Sequence, residues 1–115
     1  MTKYVEDIYT VVDLLRQRTD FQILEERDYV TNAKPSGYRS YHIVIEYPVQ
    51  MYSGELKVLA EIQVRTMAMN FWATVEHDLR YKHGELSDNL ADRLTKLSES
   101  TFALDQELSE IRAVE

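Results

Sequence analysis

Two short strings in the middle of the chain carry side chains suited to a phosphorylated ligand. The first, Lys34-Pro35-Ser36-Gly37-Tyr38-Arg39-Ser40-Tyr41-His42, reads as a loop running into a β-prone segment. Pro35 fixes one backbone angle and Gly37 is free to take a positive φ, so the loop can hold a cation beside an aromatic ring. Such a pair suits a nucleotide, with charge for phosphate and a ring for base stacking. The Gly-x-x-x-x-Gly-Lys spacing of a P-loop is absent. On these residues alone, a nucleotide site and an ordinary tight turn are both open.

The second string is Glu61-Ile62-Gln63-Val64-Arg65-Thr66. Period-two alternation places Glu61, Gln63 and Arg65 on one strand face. A carboxylate, an amide and a guanidinium in a row can hold Mg²⁺, orient a ligand and neutralise phosphate, or they can be the solvated face of a half-buried sheet. A third string, Phe71-Trp72-Ala73-Thr74-Val75-Glu76-His77, reads as a helix whose two aromatics are expected in the core. His42, His77 and His83 have no metal-ligand spacing to a neighbour, so no structural metal site is expected.

These strings need elements to position them. Val5 to Arg18 reads as a helix with Val5, Ile8, Val12 and Leu15 on one face. Phe21 to Leu24 is a short β-prone run, and Tyr41 to Val49 is a strand. Met51 to Gly54 makes a hairpin loop to a second strand, Leu56 to Arg65, whose Leu56, Val58, Ala60, Ile62 and Val64 are expected to face the core. Thr66 is suited to cap a helix with Ala68, Phe71, Trp72, Val75 and Leu79 as its apolar stripe, ended by Gly84. A last helix runs from about Ser87 to the end. The order α-β-β-β-α-α predicts an α+β fold, a mixed or antiparallel sheet with helices on one face.

The length of 115 residues allows one core, and no cysteine is present to form a disulfide or a thiolate site. No apolar run approaches the ~18 residues of a membrane span. The formal charge of -7 argues against nucleic-acid binding. Most of that acidity lies beyond Gly84, so the middle of the chain can still hold an anion.

In order and spacing the strings resemble the synthetase domain of RelA/SpoT-type (p)ppGpp synthetases, and within them the small alarmone synthetases (GTP pyrophosphokinases). The resemblance rests on Val5 to Tyr9, Asp28-Tyr29-Val30, Lys34 to His42, Glu61 to Thr66, Met69 to His77 and Arg80-Tyr81-Lys82. It implies a mixed-sheet, nucleotidyltransferase-like fold and a bacterial, cytoplasmic enzyme of the stringent response. That enzyme moves pyrophosphate from ATP to the 3′-hydroxyl of GDP or GTP, with Mg²⁺ as cofactor. By the same resemblance Tyr38 stacks on the acceptor guanine, Lys34 meets its phosphates and His42 lies beside the acceptor site. Glu61 is the catalytic carboxylate and a possible Mg²⁺ ligand, and Gln63 and Arg65 line the cleft. Ser36 stands where the long bifunctional members have Asn.

The family's pattern also includes an ATP-gripping Arg-x-Lys segment and a first strand whose Asp binds Mg²⁺. Here the pattern starts at the helix after that strand, and Glu6 and Asp7 match that helix. The expectation is therefore a fold missing its first strand, with a strand edge and apolar helix surface left open. Residues 1–83 would be a partial synthetase domain with the acceptor side of the site, and residues 84–115 a C-terminal helical extension. The alternative is a non-catalytic guanine-nucleotide-binding or oligomerisation module.

In the last helix Leu90, Leu94, Leu97, Leu104, Leu108 and Ile111 form a narrow heptad stripe, interrupted by Thr101. It can fold back on its own domain or meet a partner helix. The resemblance, to enzymes that assemble through helices outside the catalytic sheet, favours a homo-oligomer.

Overall fold

The computed structural model describes residues 1–115. Helix α1 (Val5–Arg16) leads into strands β1 (Gln22–Asp28), β2 (Tyr41–Met51) and β3 (Gly54–Val64), followed by helices α2 (Met67–His83) and α3 (Asp88–Val114). The three strands form one sheet in the order β1-β2-β3, antiparallel throughout. The parallel pairing is a single bridge, Thr2 to Thr66, at the end of β3. The rest of the outer β3 edge is unpaired, as the resemblance implied.

The sheet has a covered face and an open one. Ile8 and Val12 of α1 meet Tyr41, Ile43 and Ile45 of β2, with Val30, Val64 and Met69 closing the core. Val5 and Leu15, the other two residues of the predicted α1 face, pack at its margin. The alternate β2 positions point away from α1, and register pairs His42 with Gln63 and Val44 with Glu61 on that open side. β1 extends past its apolar start as far as Asp28, although Glu25-Glu26-Arg27 has little strand preference. Pairing to β2 accounts for this, helped by Glu26, which accepts bonds from Arg16 and the Tyr41 hydroxyl.

Two expectations about burial need correction. Of the β3 residues expected in the core, Leu56, Val58 and Ala60 are exposed, and burial begins at Ile62 and Val64. The reason is length: eleven extended residues span about 36 Å, whereas the twelve residues of α1 span about 18 Å. One helix covers one end of the hairpin. Phe71 is also outside the core, 72 % exposed, while its neighbour Trp72 is buried. The face of α2 turned to α3 is set by Met69 and Trp72, which leaves Phe71 on the outer side.

Thr66 caps α2 as its position suggested, accepting from the Met69 amide at 3.1 Å. Gly84, at φ +70°, ends the helix. α3 then crosses the molecule. Trp72 donates from Nε1 to the Leu94 carbonyl at 2.8 Å, and the far end of α3 reaches α1 through Ser109 to Glu6 and Arg112 to Asp7. Its buried positions are Leu94, Ser98 and Asp105, whereas Leu90, Leu97, Leu104, Leu108 and Ile111 are exposed. The helix therefore folds back along one face and keeps most of its leucine stripe open.

Candidate functional site

The loop between β1 and β2 is a tight turn. The Gly37 amide donates to the Lys34 carbonyl at 2.8 Å and the Lys34 amide to the Tyr38 carbonyl at 3.0 Å. Gly37 sits at φ +99°, which a side chain would resist. The turn lifts Lys34 and Tyr38 over the open face of the sheet. The Lys34 ammonium lies 4.9 Å from the Tyr29 ring centre and 5.3 Å from that of Tyr38, and the Arg65 guanidinium is 5.7 Å from the Tyr38 ring on another side.

The strands supply the rest. His42 and Glu61 lie diagonally across the β2–β3 pair, with Nδ1 of His42 3.0 Å from a Glu61 oxygen. On its other nitrogen, Nε2, His42 meets the Tyr38 hydroxyl at 3.2 Å. Gln63 donates to Glu61 at 3.0 Å and accepts from Arg65. All six residues singled out from the sequence, Lys34, Tyr38, His42, Glu61, Gln63 and Arg65, thus form one connected group. Burial pushes the His42 pKa below its ordinary value; Glu61 opposes this, while Lys34, Arg65 and Arg27 reinforce it. A neutral ring with its proton on Nδ1 donates to Glu61 and accepts from Tyr38, which satisfies both nitrogens.

Two hollows adjoin this group. One of about 210 Å³ lies over the sheet, lined by Glu25, Arg27, Tyr29, Lys34, His42 and Glu61. The other, about 360 Å³, lies between Tyr38, Arg65 and α2, where Asn70, Thr74 and Glu76 offer hydrogen-bonding groups. Arg27, Tyr29, Asn70 and Thr74 were not picked out as site residues. Arg27 could have been found from β1 pairing, since it faces His42 across the strands. Asn70 and Thr74 share a helix face at i, i+4, a weak signal in a helix read for its apolar stripe.

The arrangement offers three cations, Arg27, Lys34 and Arg65, around a ring free to stack and a carboxylate held by two neighbours. It can bind an anionic nucleotide and draw a proton from a bound hydroxyl. The residues here do not by themselves fit a resident Mg²⁺. No group of three His, Asp or Glu side chains converges anywhere, and Glu61 is a single carboxylate already engaged by His42 and Gln63.

Residues 1–86 match the family model described as the region found in RelA / SpoT proteins. The GTP pyrophosphokinase YjbM of Bacillus subtilis is 51 % identical over 113 residues, which are 97 % of this chain and 54 % of that protein. The GTP pyrophosphokinase YwaC of the same organism is 41 % identical over 110 residues, 95 % of this chain and 52 % of that protein. The crystal structure of small alarmone synthetase 1 from Bacillus subtilis, bound to its product pppGpp, superposes with a TM-score of 0.94 at 51 % identity, over 96 % of this chain and 58 % of that one. The chain spans about half the length of the curated relatives it matches.

Proposed function

This chain belongs to the RelA/SpoT family, and from that premise we propose that it forms the acceptor side of a (p)ppGpp synthetase. The observation that carries the reading is the connected group Tyr38–His42–Glu61 on the open face of the sheet, ringed by Lys34, Arg65 and Arg27. A guanine base stacks on Tyr38, with Asn70 and Thr74 within the adjoining hollow to meet its edge. Lys34 and Arg65 neutralise the acceptor phosphates.

In the reaction of the whole enzyme, the 3′-hydroxyl oxygen of GDP or GTP forms a bond to the β-phosphorus of ATP. The bond from that phosphorus to the bridging oxygen breaks, and AMP leaves. Glu61 takes the hydroxyl proton, and His42 holds the carboxylate in place. Tyr38 and Lys34 supply orientation. Mg²⁺ enters this proposal as an ion arriving with the nucleotide phosphates, where it would neutralise charge. ATP is the second substrate, and the cytoplasm is the compartment, where both nucleotides are available.

We further propose a homo-oligomer joined through the open stripe of α3. A second reading, guanine-nucleotide binding without turnover, draws support from the absence of a converging group of three acidic or histidine side chains at the site. Incubation with ATP, Mg²⁺ and GDP, followed by nucleotide separation, distinguishes the two. AMP and guanosine tetraphosphate that disappear in Glu61→Gln establish turnover. Binding of GDP over ADP without product establishes the second reading. No preference for guanine nucleotides would refute both.

A further inference from the structure

The turn that carries Lys34 and Tyr38 is held from outside by α3. The Thr95 hydroxyl lies 3.1 Å from the Ser36 carbonyl and 3.0 Å from the Ala91 carbonyl of its own helix, sharing its proton between them, and Ser98, itself buried, donates to the Gly37 carbonyl. The Phe102 ring lies 3.8 Å from the Arg39 guanidinium, which in turn donates to the Val30 carbonyl at the other root of the loop. Positions 95, 98 and 102 share one helix face, and they take hold of Ser36, Gly37 and Arg39 in order. Tyr38, the residue skipped, points the opposite way, to His42.

The fit is close. A Cβ on Gly37 would stand 2.8 Å from the Ser98 Cβ and 3.4 Å from the Thr95 Cα. α3 is fixed in turn by Trp72 at the Leu94 carbonyl and by the buried Thr66–Asp105 hydrogen bond of 2.7 Å. A loop with three internal backbone bonds, two of them in the turn itself, therefore leans on a helix anchored at further points.

We infer that Thr95 and Ser98 are positioning residues for the acceptor nucleotide, and that α3 is the splint that keeps the Lys34–Tyr38 turn in its binding shape. This rests on the reading that the turn takes a nucleotide. The splint lowers the ordering cost that a free turn would meet on binding. Neither residue touches the nucleotide.

Hydrogen exchange of the Lys34, Ser36, Gly37 and Tyr38 amides, read beside GDP calorimetry and thermal melting, tests this in the whole chain. Thr95→Val with Ser98→Ala should speed exchange in the turn by about tenfold and weaken GDP binding, with melting lowered by only a few degrees. Thr95→Ser, which keeps the hydroxyl, should restore most of the protection when Ser98 is intact. If the double variant does not fold, Thr95→Val alone decides, since its hydroxyl lies at an exposed bond. Unchanged exchange in a folded variant overturns the inference. Should the unaltered chain bind no guanine nucleotide, the function proposed above fails, while the exchange measurement still decides the splint.

Discussion

Nδ1 of His42 sits 3.0 Å from a carboxylate oxygen of Glu61, diagonally across two strands. One ring therefore links the candidate base to the stacking platform, because Nε2 of the same histidine faces the Tyr38 hydroxyl. Protonation at Nε2 turns an acceptor into a donor, so the Tyr38 hydroxyl then accepts the bond and is free to donate to Gln63.

Acidification should therefore reverse this bond and add a positive charge beside the acceptor site. Burial, with help from Lys34, Arg65 and Arg27 and against Glu61, holds His42 below 6.5. The unfolded chain takes up that proton first, so the contribution of neutral His42 is present above 6.5 and is lost as pH falls through the folded value. An imidazole titration by NMR should give a pKa under 6.5. GDP affinity should change between about pH 7 and about pH 5.5, and His42→Gln should flatten that slope. An equal slope in the variant would count against the link.

Asp105 follows the opposite sign. It is 1 % exposed, and burial raises its pKa from 3.8 while the Thr66 hydroxyl partly opposes the rise. A raised carboxyl favours the fold when protonated, so its contribution is present below 3.8 and is lost as pH rises through the folded value. Asp105→Asn keeps an acceptor for Thr66 without the charge. Urea denaturation should show a gain of about 1 kcal/mol at neutral pH that shrinks toward pH 4.

Tyr38→Ala should cost about 1–3 kcal/mol in GDP binding with little dependence on salt. Lys34→Ala should also weaken binding, with an effect that is larger at low salt and fades as salt rises. Calorimetry at two ionic strengths separates ring from charge. Identical salt responses would show that Tyr38 does not act by stacking.

Leu97 and Leu104 are 57 % and 53 % exposed on the open side of α3. Light scattering should report a mass above the 13.5 kDa of one chain. Leu97→Glu with Leu104→Glu should move it toward monomer without loss of fold, since neither side chain is in the core. A monomer at every concentration of the unaltered chain would exclude assembly through this stripe.

What could be read from the residues was local. Pro35 and Gly37 marked the turn, Thr66 and Gly84 the bounds of α2, and alternation along Glu61, Gln63 and Arg65 their shared face. Burial could not be read the same way, because it depends on which element arrives to cover a surface. Leu56 and Val58 alternate like core residues, yet α1 is too short to reach them. Phe71 and Trp72 look equivalent in sequence, and the approach of α3 separates them. Thr95 and Ser98 carry no motif, since a hydroxyl on a polar helix face has no signature until a carbonyl from nearly sixty residues away meets it.

The length of the β2–β3 hairpin sets how this molecule breathes. Rungs from Tyr41–Val64 to Ile45–Ala60 are backed by the core and can open only with it, whereas rungs toward Met51–Gly54 are backed by solvent and can unzip alone. Amide opening energies should decline along the ribbon, with a protease meeting Tyr52 at the fraying end first. Glu61, paired with Val44, stands one rung inside the boundary between the two regimes. Whatever steadies the far rungs, a ligand or a neighbouring chain along the free β3 edge, would quiet the backbone under the carboxylate without touching it.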